Sequence, residues 1–192
     1  YPPLQVTALR GLTAMPLVCA YVLWRGQLGA VFGRHLRWRL HLLRGVIGVA
    51  MMALFTFGLN TLGLAEAYTL TFIAPMIITM LSVPMLKETV LPRHWAAIAV
   101  GLCGVAVALR PDQSAFLSIG ALAVLAAALC YALSNVLGRI ISRTEPSTTL
   151  VFWTTASLAL GGSILGAWQW VDIQREHGWI LLGLAVTGFL GQ

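Results

Sequence analysis

The chain has 192 residues, of which 59% are hydrophobic and 9% are charged, and its formal net charge is +6. This composition excludes an ordinary water-soluble domain, because a domain of this length cannot bury so large an apolar fraction. The positive charge does not indicate nucleic-acid binding, because the basic residues lie in short segments between apolar runs rather than on one face. The bilayer is the expected environment, with membrane lipid as the first expected partner.

Seven apolar segments are long enough to cross a bilayer as helices. Only helices and closed barrels satisfy backbone polar groups in lipid, and these segments lack the alternating pattern of barrel strands. The sequence therefore predicts an all-α, polytopic transmembrane helix bundle. The predicted spans are, in chain order, 4–24, 44–61, 65–86, 94–109, 117–140, 147–168 and 178–192.

Lysine and arginine are distributed unevenly between the two sides of the predicted bundle. Of the 12 basic residues, nine lie in or beside the loops 25–43, 87–93 and 139–146, two lie on the opposite side, and Arg10 lies inside a span. The positive-inside rule predicts that these three loops are cytoplasmic. We expect a multi-pass protein of the cytoplasmic (inner) membrane whose first predicted helix runs inward.

Two parts of the sequence are weakly similar. A proline begins a span at Pro3 and at Pro146, and a tryptophan precedes an apolar run at Trp38 and at Trp179. The offsets of 143 (Pro146 minus Pro3) and 141 (Trp179 minus Trp38) are nearly equal, which suggests two homologous parts. Parts with five helices each would be inverted relative to one another, as in many transporters. We expect an inverted five-plus-five repeat whose first, ninth and tenth helices lie outside this sequence.

The predicted helix 65–86 carries a row of polar residues along one side. At 100° per residue, the members of the row fall within about 80° of one another. Pro75 has no N–H, so it leaves the carbonyl of Thr71 without a helical donor. Such a backbone is tolerated near a cavity, which predicts a solute pathway; alternatively, the hydroxyls bond back to their own helix or join neighbouring helices. The row consists of Tyr68, Thr71, Pro75, Thr79 and Ser82.

Glu66 lies on the opposite side of the same predicted helix, in its first turn. Free N–H groups and the helix dipole favour a carboxylate there, so one interpretation is a helix cap or a contact between helices. The other interpretation is proton coupling. Arg10, about two turns into the first predicted span, either pairs with Glu66 or extends toward the lipid headgroups.

A second polar face lies in the predicted span 117–140, where Tyr131, Ser134 and Asn135 recur at helical spacing. An asparagine inside a span is costly unless it is paired, so this face is expected to contact substrate or another helix. Trp153, which the offset of 143 residues aligns with Arg10, either stacks on a flat solute or packs as an ordinary core residue. No metal or cofactor is expected, because the cysteines and histidines lack metal-ligand spacing.

Several short motifs follow one another in an order that is similar to that of a known family. They are Arg44–Gly45, the tripeptide A-E-A at 65–67, Pro75, Lys87–Glu88, and a helix with Gly101 and Gly104, followed by GALAVLAAALCYALSNVLGR at 120–139. Over nearly its whole length the chain resembles the EamA domain of the drug/metabolite transporter superfamily. The resemblance implies ten helices in two repeats, here 1–111 and 112–192, and transport of small metabolites or drugs.

The leading hypothesis is a secondary transporter that exports a small organic metabolite or drug by alternating access around a midplane site. The chain contains no GxxxxGK[ST] motif, so a proton gradient is a more suitable energy source than ATP. A membrane-embedded enzyme is a less favoured alternative, because the six acidic residues do not cluster. A non-transporting scaffold or assembly partner would explain the small-residue motifs but not the repeat or the polar faces.

Overall fold

The computed structural model describes residues 2–33, 36–109 and 118–172, together with Trp179, Gly183 and Thr187. The described chain is helical, and no strand occurs within these residues. A short 3₁₀ helix, Ala167–Gln169, follows the last long helix. The α-helices are α1 (Pro3–Trp24), α2 (Leu28–Phe32), α3 (Trp38–Thr61), α4 (Leu64–Thr71), α5 (Ala74–Leu86), α6 (Pro92–Leu109), α7 (Ile119–Ser142) and α8 (Ser147–Gly166).

Five helical segments of the described chain are long and apolar enough to cross a membrane, which confirms the prediction of a polytopic helical membrane protein. They are Leu4–Trp24, Trp38–Thr61, Leu64–Leu86, Ile119–Ser142 and Ser147–Gly166. Helix α6 occupies the position of the predicted span 94–109. The predicted span 178–192 lies outside the described residues apart from three isolated positions.

Helix α3 begins at Trp38, six residues before the predicted span 44–61. No proline or glycine separates Trp38 from Arg44, so nothing in this segment stops the helix from continuing beyond its apolar part. The sequence also did not predict α2, a short helix inside the predicted loop 25–43. Its residue Val31 is fully buried against Val18, Val22 and Phe152, which explains why this part of the loop is ordered into a helix.

The predicted helix 65–86 is interrupted, because the short turn Phe72–Ile73 separates α4 from α5. The N–H groups of Phe72 and Ile73 bond three residues back, to Thr69 and Leu70, so the end of α4 is a tightened turn. Pro75 then occupies the first turn of α5, where a missing N–H is tolerated. The proline therefore begins a new helix instead of lying within a continuous one.

The chain divides into two compact units that do not follow its linear order. Unit 1 comprises Tyr1–Val49 and Gly138–Gln192, and unit 2 comprises Ala50–Leu137. Each unit therefore contains segments from both of the predicted repeats, 1–111 and 112–192. The repeat boundary remains a prediction, since compactness and internal homology are different criteria.

In unit 1, α1 and α8 pack closely along their length. A side-chain carbon placed on Gly11 would lie 2.5 Å from the backbone nitrogen of Ala159, and one on Gly162 would lie 2.8 Å from the backbone nitrogen of Ala8. Only glycine fits at both positions, because each faces the backbone of the other helix. Small residues permit this approach in a membrane, where no hydrophobic force draws helices together.

The core of unit 2 joins the second half of α3 to α4 and α7. Its buried residues are Leu62, Ala67, Leu70, Ala121 and Val124, with Phe55, Leu59 and Leu125 packed against them. Helix α6 contacts α4 and α5 in the same unit.

Candidate functional site

Unit 2 contains a cavity of about 430 Å³ among α3, α4, the beginning of α5 and α7. Its volume falls in the range of small-molecule sites, roughly 300–1,000 Å³. The lining residues are Met51, Met52, Phe55, Tyr68, Thr71, Phe72, Ala74, Pro75, Ala127, Ala128 and Tyr131. The helix break at Phe72–Ile73 thus lies at the wall of the cavity, because residues on both sides of it take part in the lining.

Four residues that the sequence singled out line this cavity together: Tyr68, Thr71, Pro75 and Tyr131. The first three come from the polar row of the third predicted span, and Tyr131 comes from the polar face of the fifth. That these two faces meet could not be predicted from the sequence, because they belong to spans that are distant along the chain. Their contact with a transported solute remains a prediction.

The cavity is lined mainly by aromatic and apolar side chains. The rings of Phe55 and Tyr68 meet edge to face, with 5.9 Å between their centroids and an interplanar angle of 78°. The side chains of Tyr68 and Tyr131 are 50% and 46% exposed, and neither hydroxyl forms a hydrogen bond with the described part of the chain. None of the eleven described lining residues is charged. The cavity therefore offers rings and two free hydroxyls, without a formal charge.

A smaller cavity of about 240 Å³ shares Phe72 and Pro75 with the first. Its other lining residues are Ile98, Gly101 and Leu102, all in α6. A side chain placed on Gly101 would meet no atom within 4 Å. Residues at the helix break therefore line both cavities.

The last two residues of the predicted polar row, Thr79 and Ser82, do not line the larger cavity. The hydroxyl of Thr79 donates to the backbone carbonyl of Pro75 at 2.8 Å. The hydroxyl of Ser82 donates to the backbone carbonyl of Thr79 at 2.9 Å. Ser82 is buried, with 3% of its surface exposed. Thr71 also bonds back to its own helix, donating to the carbonyl of Tyr68 at 2.7 Å. Bonding back to the same helix was the alternative interpretation, and all three hydroxyls form such bonds; their contact with a solute stays a prediction.

Ser134 and Asn135 lie on α7 about one turn after Tyr131, outside the cavity lining. The side-chain amide of Asn135 donates to the carbonyl of Tyr131 at 2.8 Å, so its donor is satisfied within the helix. Both residues are partly buried. Substrate contact by these two residues stays a prediction.

Glu66 lies at the start of α4, where its carboxylate Oε2 accepts the N–H of Gly63 at 3.0 Å. Gly63 is the residue before the helix, so this bond is one half of a capping box. Arg10 is an exposed residue of α1, in unit 1, whereas Glu66 belongs to unit 2. The pairing of Arg10 with Glu66 and the coupling role of Glu66 stay predictions.

Trp153 belongs to unit 1, whereas the cavity belongs to unit 2. Its indole Nε1 donates to the carbonyl of Val31 at 3.3 Å. Its ring packs near those of Phe32, His41 and Phe152, at centroid distances of 6.5, 5.8 and 6.0 Å. These contacts agree with the alternative interpretation, a packed tryptophan, and stacking of Trp153 on a solute stays a prediction.

Sequence reasoning missed the cavity residues that α3 contributes, Met51, Met52 and Phe55. Apolar residues inside an apolar span carry no distinguishing signal, and only their helical spacing indicates that they share a face. Sequence reasoning also missed a buried hydrogen-bonded contact in unit 1, in which His41 Nε2 lies 2.7 Å from Glu145 Oε2. These residues are 104 positions apart, so no local motif reports their contact.

No group of three or more His, Cys, Asp or Glu side chains within the described residues could hold a metal ion. The cysteines Cys19, Cys103 and Cys130 are free thiols. The larger cavity is lined by aromatic and apolar side chains and three hydroxyl-bearing residues.

Comparison with known proteins gives a consistent assignment. The S-adenosylmethionine uptake transporter of Rickettsia prowazekii (strain Madrid E) is 24% identical to this chain, over 68% of this chain and 44% of the relative. The S-adenosylmethionine uptake transporter of Rickettsia felis (strain ATCC VR-1525 / URRWXCal2) is also 24% identical, over 79% of this chain and 50% of the relative. The chain thus spans about half the length of these relatives. One solved crystal structure, 22% identical, superposes with a TM-score of 0.78 over 98% of this chain and 65% of its own, and therefore shares the fold. A profile of the EamA-like transporter family matches residues 1–110, and the chain belongs to this family.

Proposed function

We propose that this protein is a secondary transporter that moves a small organic metabolite across the cytoplasmic membrane by alternating access. One observation carries the proposal: a cavity of about 430 Å³ lies beside an interrupted helix in a chain of the EamA-like transporter family. Secondary transporters hold their substrates near the bilayer midplane, at helices that are interrupted in this way.

The helix break leaves a backbone carbonyl without a helical donor beside the residues that line the cavity. Because Pro75 has no N–H, the carbonyl of Thr71 cannot accept the helical bond from the residue four positions later. Irregular backbone at membrane depth is tolerated where it lines a cavity or contacts protein. These features support a solute pathway past Tyr68, Thr71 and Pro75, and the same reasoning extends the proposed pathway to Tyr131 across the cavity.

S-adenosylmethionine is the first solute to test, because two relatives at 24% identity are named as its uptake transporters. The direction of transport is part of the test. The family resemblance led us to expect export, whereas the names of the relatives specify uptake. Right-side-out and inside-out vesicles, loaded with the same radiolabelled solute, distinguish the two directions.

Reconstitution of the full-length protein into proteoliposomes tests the proposal. We expect saturable flux of S-adenosylmethionine or of another member of a metabolite panel. Tyr68→Ala should reduce the initial rate about 10-fold, because a ring in the cavity wall is lost. Leu129→Ala is the matched control, since Leu129 is exposed on α7 and does not line the cavity. Absence of flux across the whole panel from a folded protein would favour the scaffold alternative.

A proton gradient is the proposed driving force, with Glu66 as the candidate coupling residue. Glu66→Gln removes the titratable group but retains an oxygen that can accept the N–H of Gly63. If coupling runs through Glu66, solute accumulation in this variant no longer responds to an imposed pH gradient, although exchange of labelled for unlabelled solute continues. An unchanged response would exclude Glu66 from coupling.

A further inference from the structure

The chemistry of the lining limits what part of a solute the larger cavity can hold. The described lining contains no lysine, arginine or histidine, and its only polar side-chain groups are the hydroxyls of Tyr68, Thr71 and Tyr131. A carboxylate or phosphate that gives up hydration to enter such a cavity gains no opposite charge from the described lining, which is unfavourable. The cavity therefore selects against anionic groups.

The aromatic side chains favour a planar ring. Phe55, Tyr68, Phe72 and Tyr131 bring four rings into the wall. Phe55 and Tyr68 already meet edge to face at 5.9 Å, the arrangement in which a further flat ring can add by stacking or by an edge contact. The same ring faces attract a cation.

Two further features suit a planar ligand. Met51 and Met52 line the cavity with flexible thioethers that adapt to the outline of a ring and contact its edge favourably. The hydroxyls of Tyr68 and Tyr131, which lack hydrogen-bond partners within the described chain, can each donate to or accept from a ring substituent. The Thr71 hydroxyl is already bonded to the carbonyl of Tyr68 and contributes less.

We infer that this cavity is a subsite for a planar aromatic group, neutral or cationic, and that it excludes carboxylate and phosphate groups. The inference rests on the proposed function in one respect, because it assigns the ring-binding subsite to the transported solute. It does not require transport to be observed, since binding at equilibrium reports the subsite directly.

Binding of matched probes to the full-length protein in lipid nanodiscs tests the inference by calorimetry. Tryptamine, indole and indole-3-acetate share one ring and differ in charge, and adenosine and adenosine 5′-monophosphate differ by a phosphate. We expect tryptamine and adenosine to bind at least about 10-fold more tightly than indole-3-acetate and adenosine 5′-monophosphate. Cyclohexylethylamine, a cation without an aromatic ring, should also bind about 10-fold more weakly than tryptamine.

Substitutions in the cavity lining test whether the probes bind in this cavity. Tyr68→Ala and Tyr131→Ala should each weaken tryptamine binding about 5–10-fold, through loss of a ring. Tyr68→Phe keeps the ring and should leave indole binding unchanged while weakening adenosine binding about 3-fold, through loss of one hydrogen bond. Leu129→Ala should change none of these affinities, and circular dichroism with thermal melting establishes that every variant remains folded.

The outcomes separate the inference from the proposed function. Equal binding of the neutral and anionic partners, or of tryptamine and cyclohexylethylamine, would overturn the inference. Absence of binding by every ring probe would also overturn it, and a protein that still transported another solute would then retain its proposed function. Selective binding of the ring probes without any flux would support the subsite and contradict transport.

Discussion

Glu145 joins two segments that lie far apart in the sequence. Its Oε2 lies 2.7 Å from Nε2 of His41 in α3, and its Oε1 accepts the backbone N–H of Arg37 at 2.9 Å. The side chains of His41 and Glu145 are only 1% and 7% exposed. Nδ1 of His41 is buried without a hydrogen-bond partner in the described residues, so the pair with Glu145 is the polar contact that holds this ring.

Removing the carboxylate of Glu145 should therefore destabilise unit 1. Glu145→Gln deprives the buried imidazole of His41 of its carboxylate partner, and we expect it to lower the free energy of unfolding by about 1–3 kcal/mol. Unfolding in mixed micelles measures this change. Glu66→Gln is the matched control, because Glu66 is only partly buried and its glutamine retains the acceptor for Gly63; it should cost less than about 1 kcal/mol.

A double-mutant cycle separates the pair from its surroundings. If His41 and Glu145 stabilise the fold through each other, His41→Gln combined with Glu145→Gln should cost clearly less than the sum of the two single changes. Additive effects would show that the two side chains act independently in spite of their 2.7 Å separation.

At the scale of the helix, the predicted internal repeat relates α1 to α8. The offset of 143 residues carries Gln5 onto Thr148. Gln5 exchanges two hydrogen bonds with the main chain of Val171, which follows α8, at 2.6 and 3.2 Å. Thr148 in turn donates from its hydroxyl to Gln27, which follows α1. Each helix is thus tied near its start to the chain beyond the end of the other; the inverted repeat itself stays a prediction.

The close contact of these two helices predicts opposite effects on stability for two glycine-to-alanine substitutions. Gly162→Ala should destabilise the protein by about 1–3 kcal/mol, because the new methyl group would meet the backbone of Ala8. Gly48→Ala in α3 is the control: it has no neighbour within 4 Å, and it should be neutral or stabilising by up to about 1 kcal/mol through helix propensity. Equal effects of the two substitutions in thermal melting would show that α1 and α8 do not pack in this way.

Helix positions were predictable from sequence because lipid leaves few alternatives. The predicted spans 4–24, 117–140 and 147–168 match α1, α7 and α8 to within two residues at each end. The break in the span 65–86 was not predicted, although Pro75 was recognised as an irregularity. A proline reports a missing N–H, but whether a helix bends or stops depends on the residues that pack around it.

The site was less predictable than the helices because it depends on contacts between distant segments. Hydroxyl and proline positions identified Tyr68, Thr71, Pro75 and Tyr131, since polar residues stand out in apolar spans. The same criterion also selected Thr79 and Ser82, which do not line the cavity and whose hydroxyls, like that of Thr71, bond to their own helix. Polarity alone cannot distinguish a residue that meets a solute from one that satisfies a backbone carbonyl.

For the whole molecule, the distribution of basic residues predicts one orientation in the membrane. Nine of the 12 Lys and Arg residues belong to the side that contains the loops 25–43, 87–93 and 139–146. Positive charge resists translocation, so this side is expected to be cytoplasmic. Within unit 1, Gly29 in α2 should then lie inside the cell, and Trp168, which follows α8, should lie outside.

Cysteine labelling in intact cells checks this orientation. Gly29 and Trp168 are both exposed, and a side chain on Gly29 would meet no neighbour within 4 Å, so a cysteine is tolerated at either position. In a background without Cys19, Cys103 and Cys130, a membrane-impermeant maleimide should label Trp168→Cys in intact cells and label Gly29→Cys only after permeabilisation. The reverse pattern would show that the positive-inside rule fails for this protein, and comparable labelling of both positions in intact cells would indicate insertion in two orientations.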